Sequence, residues 1–220
     1  MRVLIACEYS GRVREAFRAR GHDAFSCDLL PAEDASDNHI VGDVIELIRS
    51  EQWDLMIAHP PCTYLSSSGL HWNNRVDGRA DKTESALDFV RSLLDAPVTR
   101  IALENPVGCI GSRIRKADQT IQPWQFGEDA SKSTSLWLKN LHPLRPTQFI
   151  APRYVCCGRT LPDGVGLYVC PNCLGDKKAR PRWANQTDSG QNRLGPSEDR
   201  WKERSRTYSG IASAMAEQWG

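Results

Sequence analysis

The sequence predicts an α/β protein, a doubly wound, Rossmann-like sheet carrying a small appendage late in the chain, and three observations predict it. Arg2 to Ala6 is a short apolar strand, followed by a turn with Gly11 and a helix that runs to Gly21. Leu55-Met56-Ile57-Ala58 is the continuous apolar run of a strand covered on both faces, and it ends in the stiff turn His59-Pro60-Pro61. From Asn140 the composition turns proline-rich and then cysteine-rich, with Cys156-Cys157-Gly158 followed by Cys170-Pro-Asn-Cys173.

At 220 residues the chain suits one α/β domain with an appendage, and two full domains do not fit. Lys and Arg number 28 against 27 Asp and Glu, so only local patches can decide for or against nucleic acid. No apolar run is long enough to span a membrane, and Met1-Arg-Val-Leu-Ile5 starts a strand where a signal peptide needs a longer apolar region. A cytoplasmic protein is expected, with its eight cysteines serving as thiols and metal ligands.

In the first helix Val13, Ala16 and Phe17 share one face, and the turn before it is Glu8-Tyr9-Ser10-Gly11. A strand, a glycine turn and a helix amino terminus is how doubly wound folds hold a nucleotide-like cofactor, although an ordinary turn has the same letters. The second strand, around Asp23 to Cys27, ends at Asp28, where an acid commonly bonds a ribose. Gly42-Asp43-Val44 follows the third strand, and Asp43 also fits as the cap of a helix from Val44 to Arg49.

Cys62 follows Pro60-Pro61 at the carboxyl end of its strand, the edge where ligands bind. A thiolate held there can act as a nucleophile; the plainer alternative is a small buried apolar residue. Beyond it, 63–72 is polar and punctuated by Gly69, a loop by composition that ends in His71 and Trp72. Glu84 to Ala96 reads as a helix with Leu87, Val90, Leu93 and Leu94 as its core stripe. Arg100-Ile-Ala-Leu103 is the next strand and delivers Glu104-Asn105-Pro106 to the same sheet edge.

Pro-Pro-Cys at one strand end and Glu-Asn at the next, in that order, resemble the signatures of the cytosine-5 methyltransferases. The resemblance covers roughly residues 1 to 140 and the last dozen, and it implies an S-adenosylmethionine-dependent transfer of methyl to carbon 5 of cytosine in DNA. Cys62 would be the nucleophile at carbon 6 and Glu104 the acid at ring nitrogen 3, with a pKa raised by burial. The adenosyl ribose would sit on Asp28 beside Leu29, and the adenine near Asp43 and Val44. Glu8, Tyr9, Ser10, Gly11 and Pro60 would complete the cofactor site. The loop after Cys62 would close over a flipped base, so that His71 and Trp72 either meet DNA or anchor the loop.

Two departures stand out: the cofactor loop is short and poor in glycine, and the family's Arg-x-Arg is missing before the strand at Leu136-Trp137-Leu138. Ser112-Arg113-Ile114-Arg115 has the letters but lies too close to Asn105 and no strand is expected after it. Lys132 and Thr134 stand in the arginines' place, with Lys132 either holding the base carbonyl or simply solvated.

The appendage is read from its residues alone. Cys170-x-x-Cys173 before a glycine is a zinc knuckle, and Cys156-Cys157 supplies the other half of a structural site. Either both adjacent cysteines ligate, or one does and His142 or another group completes the set. Lys177 to Thr187 is basic with Trp183, and Gln191-Asn192-Arg193 adds donors, a composition suited to DNA contact. Thr207 to Trp219 reads as a helix returning to the core. The expected organisation is therefore a catalytic core over 1–145, a zinc-binding recognition insertion over 146–205 and a returning helix over 206–220. Alternatives are an RNA or nucleotide cytosine-5 methyltransferase, a zinc-containing nucleic-acid binding module without turnover, and a redox protein, whose strand-then-helix setting for Cys-x-x-Cys is lacking.

Overall fold

The computed structural model describes residues 1–161, 173 and 178–220, which fall into two compact units. The first comprises Met1–Ile121, Ser133–Arg145 and Ile211–Gly220; the second comprises Gln122–Lys132 and Pro146–Gly210.

The first unit is a seven-stranded sheet ordered β3-β2-β1-β4-β5-β7-β6. Its strands are β1 (Arg2–Ala6), β2 (Asp23–Asp28), β3 (His39–Val41), β4 (Leu55–Ala58), β5 (Arg100–Pro106), β6 (Gln119–Ile121) and β7 (Thr134–Lys139). The five strands β3 to β5 run parallel, and β7 is antiparallel to both its neighbours. From β1 the chain winds outward through β2 and β3 and then returns to β4 on the other side of β1. That reversal opens a crevice beyond the carboxyl ends of β1 and β4.

The apolar runs earn their central places by burial. Val3 to Ala6, Leu55 to Ala58 and Ile101 to Leu103 are wholly excluded from solvent. α1 (Arg12–Arg18) buries Val13 and Phe17; Arg14 rather than Ala16 completes that face, its guanidinium reaching Ser26, Glu15 and Asp34. α2 (Val44–Ser50) is capped by Asp43, whose carboxylate accepts from the Ile45 N–H at 2.8 Å.

Helical elements follow the ends of β4 and β5. α3 (Ser67–Leu70) and a 3₁₀ turn at His71–Asn74 occupy the stretch whose composition marks a loop. α4 (Arg79–Leu94) begins five residues before Glu84, with Gly78 in the left-handed region at its start. α5 (Ile110–Arg113) precedes the edge strand β6, which the sequence reading did not anticipate after Arg115. The chain ends in the helix α7 (Ser209–Trp219), whose Trp219 donates Nε1–H to the His142 carbonyl at 2.9 Å.

The second unit holds the three-stranded antiparallel sheet β10-β8-β9, built from β8 (Arg153–Cys156), β9 (Arg159–Thr160) and β10 (Arg180–Arg182), and the short helix α6 (Arg200–Ser205). Trp183 stacks on Trp124 with ring centres 5.4 Å apart and donates to the Ile150 carbonyl.

Candidate active site

Parallel pairing of β1 with β4 and of β4 with β5 brings three turns to one sheet edge: that of Glu8, that of Cys62, and the continuation of β5 through Glu104. The last two are joined by hydrogen bonds. Glu104 Oε2 lies 2.8 Å from His59 Nδ1, and buried Asn105 donates Nδ2–H to the Pro60 carbonyl at 2.8 Å. Further out, Cys109 N–H donates to the Leu65 carbonyl, Ser67 N–H donates to the Val107 carbonyl, and Ser66 bridges Gly108. A Cβ on Gly108 would fall on the Leu65 carbonyl oxygen, so this approach requires glycine.

Cys62 is exposed, and its carbonyl accepts from the N–H groups of Leu65 and Ser66, which closes the turn behind it. The other cysteines of the first unit are quieter thiols. Burial, reinforced by the charge of Asp28, pushes Cys7 far up and Cys27 up to about 11, and burial raises Cys109 as well. Solvent access thus singles out Cys62 within this unit.

A cavity of about 510 Å³ lies in the crevice. Asp28, Leu29, Asp43 and Val44, four of the nine residues anticipated for cofactor binding, line it. Pro61 lines it too, so the cavity borders the turn that carries the thiol. Burial raises the Asp28 carboxyl against the pull of the Leu30 N–H. The far wall is a face of α4 that the sequence reading missed: Lys82, Ser85, Ala86 and Phe89, spaced i, i+3, i+4, i+7 beside the core stripe. That spacing was the available signal, hidden by a lysine and a serine in an otherwise apolar face. A mostly apolar, strand-end cavity of this size with acids at its rim fits an adenosyl group.

Glu8 has a different occupation. Its carboxylate accepts from the backbone N–H of Val13 at 2.7 Å and of Arg14 at 3.2 Å, closing the start of α1. Burial raises its pKa, partly offset by His59 and by those two donors. Glu8, Tyr9, Ser10 and Gly11 are absent from the cavity lining; Tyr9 is buried, and Gly11 takes the left-handed conformation before α1. Pro60 presents its carbonyl to Asn105.

Lys132 belongs to the second unit, where its ammonium donates to the Arg204 carbonyl at the end of α6. Thr134 begins β7 and is buried. Arg113 pairs with Glu84, and Arg115 with Asp118. His142 directs both ring nitrogens at backbone carbonyls, those of Pro143 and Gln218.

In the second unit, Cys156, Cys157 and Cys173 place their sulfurs within 4.8 Å of one another, with Cys156 at 3.9 Å from Cys157 and 3.7 Å from Cys173. Thiolates about 2.3 Å from a tetrahedral zinc stand roughly 3.8 Å apart, so the three sulfurs can hold a metal, and both adjacent cysteines face it. The fourth anticipated ligand, Cys170, lies outside the described residues. Several donors anticipated for DNA are instead spent inside the unit: Trp183 Nε1–H donates to the Ile150 carbonyl, Asn185 to the Ser131 carbonyl and Arg193 Nε–H to the Gln186 carbonyl. Lys178, Arg180, Trp201 and Arg204 are exposed.

No family model matches the chain, and no curated protein matches it. Solved structures do. A protein described as a DNA modification methyltransferase encoded within a prophage of E. coli aligns over 68% of this chain and 52% of its own, at 14% identity and a TM-score of 0.45. An rRNA methylase from Escherichia coli aligns over 63% of this chain and 56% of its own, at 14% identity and a TM-score of 0.38. A 16S rRNA methylase aligns over 63% and 55%, at 16% identity and a TM-score of 0.35. The chain spans about half the length of these structures, and likenesses at this level carry no argument about activity.

Proposed function

We propose that the protein transfers a methyl group from S-adenosylmethionine to carbon 5 of cytosine in DNA, through a covalent adduct between Cys62 and carbon 6. The observation that carries this reading is the bonded pair of strand ends: His59 to Glu104 and Pro60 to Asn105 tie the acid's strand to the thiol's turn, and that turn borders the cavity.

Carbon 5 is too weak a nucleophile to take a methyl group unaided. The Cys62 thiolate adds to carbon 6, and the ring's displaced electron pair moves through carbons 5 and 4 to nitrogen 3. Glu104 gives nitrogen 3 a proton and keeps the O–H pair as a carboxylate. S-adenosylmethionine, when bound, supplies the methyl group to carbon 5. Water takes the carbon 5 proton, the C–H pair becomes the carbon 5–carbon 6 double bond, Cys62 leaves as a thiolate, and nitrogen 3 returns its proton to the Glu104 carboxylate. A duplex base reaches Cys62 only by leaving the stack, at a cost of a few kcal/mol.

Asp28 would hold the ribose hydroxyls, with Leu29, Val44 and Phe89 about the adenine. Asp43 would cap α2 and line the same pocket, and the Glu8 turn would support the pocket from behind. Zinc would be held by Cys156, Cys157, Cys170 and Cys173 as a structural ion, since four thiolates leave no open position. Lys178, Arg180 and the exposed face of α6 would contact phosphates.

Nucleoside mass spectrometry after incubation with duplex DNA, transfer RNA or free deoxycytidine nucleotides tests the reading. The expected product is 5-methyldeoxycytidine in duplex DNA, lost in Cys62→Ser with the fold intact and slowed in Glu104→Gln with cofactor still bound. Methylation of an exocyclic amine, or full activity in Cys62→Ser, would overturn it; product in RNA or free nucleotides alone would change the substrate.

A further inference from the structure

The acid in this scheme must keep its proton on the oxygen that meets nitrogen 3, and a buried imidazole bears on which oxygen that is. His59 and Glu104 are joined at 2.8 Å with side-chain exposures of only 8% and 11%. His59 Nε2 is buried and has no hydrogen-bond partner among the described residues. An orphaned lone pair costs less than an orphaned N–H, and an imidazolium would strand a charged N–H there. A ring that carries its single proton on Nδ1 leaves only a lone pair at that buried site and donates to Glu104 Oε2. Glu8, in the turn after β1, lies within electrostatic reach of the same ring, and Glu104 bonds to it from β5. Burial favours the neutral form of Glu8, which weakens the case for an imidazolium between two anions.

We infer that His59 is a positioning residue: its Nδ1–H occupies Oε2, fixes the carboxyl plane and directs the acidic proton of Glu104 to Oε1. This rests on the roles proposed above for Cys62 and Glu104. As the Oε1 proton passes to nitrogen 3, the carboxyl becomes a carboxylate and the Nδ1–H···Oε2 contact becomes a charge-assisted bond. The contact is stronger after the transfer than before it, so it accelerates the addition of the thiolate without strengthening ground-state binding.

Two measurements test this. In ¹⁵N-histidine-labelled full-length protein, the resonances lost in His59→Leu should show a protonated Nδ1 and a bare Nε2 at neutral pH. A proton on Nε2, alone or with one on Nδ1, overturns the assignment. The second measurement is the rate of covalent adduct formation with a duplex carrying 5-fluorocytosine at every cytosine, in the presence of S-adenosylmethionine. His59→Asn places a neutral donor where Nδ1 stood and should stay within about threefold of wild type. His59→Leu should be slower by roughly a hundredfold, the scale of one charged hydrogen bond, with DNA and cofactor affinities unchanged. Wild-type rates in His59→Leu, or equal losses in both variants, overturn the positioning role. A wild-type protein that shows the Nδ1–H tautomer yet forms no adduct supports the hydrogen-bond assignment and overturns the methyl-transfer reading instead.

Discussion

Cys62 and Glu104 were legible because each sits in a contiguous run of letters whose neighbours restrict the backbone. His59 was not, because its partner lies 45 residues away and only the β4–β5 register brings the two together. Glu8 was legible as a turn residue, but its bonds were not: the N–H groups of Val13 and Arg14 at the start of α1 needed an acceptor, and its carboxylate accepts from both. Its raised pKa has a signed consequence. The native state favours the protonated acid, so the stability Glu8 contributes is complete below about 4.5, the ordinary value for the side chain, and is lost as pH rises through the higher folded pKa. Relative to wild type, Glu8→Gln should therefore gain in melting temperature as pH rises from 4.5; a relative loss would show that the two N–H bonds and His59 outweigh burial. Asp28 is at the cavity rim, and a hydrogen bond from a ribose hydroxyl to a charged acceptor is worth about 1.5–3 kcal/mol. Asp28→Ala should weaken S-adenosylmethionine binding by roughly ten- to a hundredfold in calorimetry, with the fold retained.

At the scale of elements, the strands that the sequence shows are those buried on both faces, where the apolar run leaves no alternative. β6 escaped notice because an edge strand of three residues carries no periodicity to read, and β7 supplies all its partners. The stretch after Cys62 misled for a related reason. Its polar composition marks a loop, yet tertiary bonds shape it: Arg79 donates to the Thr63 carbonyl and lies over the Tyr64 ring, and Thr83 donates to the Tyr64 carbonyl. The first turns of α4 thus hold the thiol's turn from one side, and the bridge from Ser66 to Gly108 holds it from the other. Gly108→Ala isolates the second support. Its new methyl cannot coexist with the Leu65 carbonyl, so the bridge must open, at a cost of about 1–3 kcal/mol, as is usual for overpacking. Thermal denaturation should show that loss, and adduct formation at Cys62 should slow more than cofactor binding weakens. Equal effects on the two would mean that the bridge supports the sheet edge as a whole.

For the whole molecule, charge divides between the units more than its near-zero sum implies. The second unit holds Lys178, Arg180, Arg182, Arg200, Lys202, Arg204 and Arg206 within a short span, while Asp28 and Asp43 of the first unit stand at the cavity. A cofactor with a cationic sulfonium suits the acidic crevice, and a polyanion suits the basic unit. The thiols of the basic unit lie within its apolar packing: Cys156 and Leu161 form a small buried cluster with Tyr154, Cys173 and Ala179 packed against them, and so small a unit gains much from a bound metal. Sulfurs 3.7 and 3.9 Å apart must lose their protons to bind zinc, and as thiolates they would repel one another without it. One zinc per chain is therefore expected by metal analysis, lost in Cys156→Ser and Cys173→Ser. Chelation should abolish a low-temperature unfolding transition and salt-dependent DNA binding, while S-adenosylmethionine still binds the cavity of the first unit. If chelator leaves DNA binding and melting unchanged, the cluster is a small thiol core and the recognition surface must be sought elsewhere in the chain.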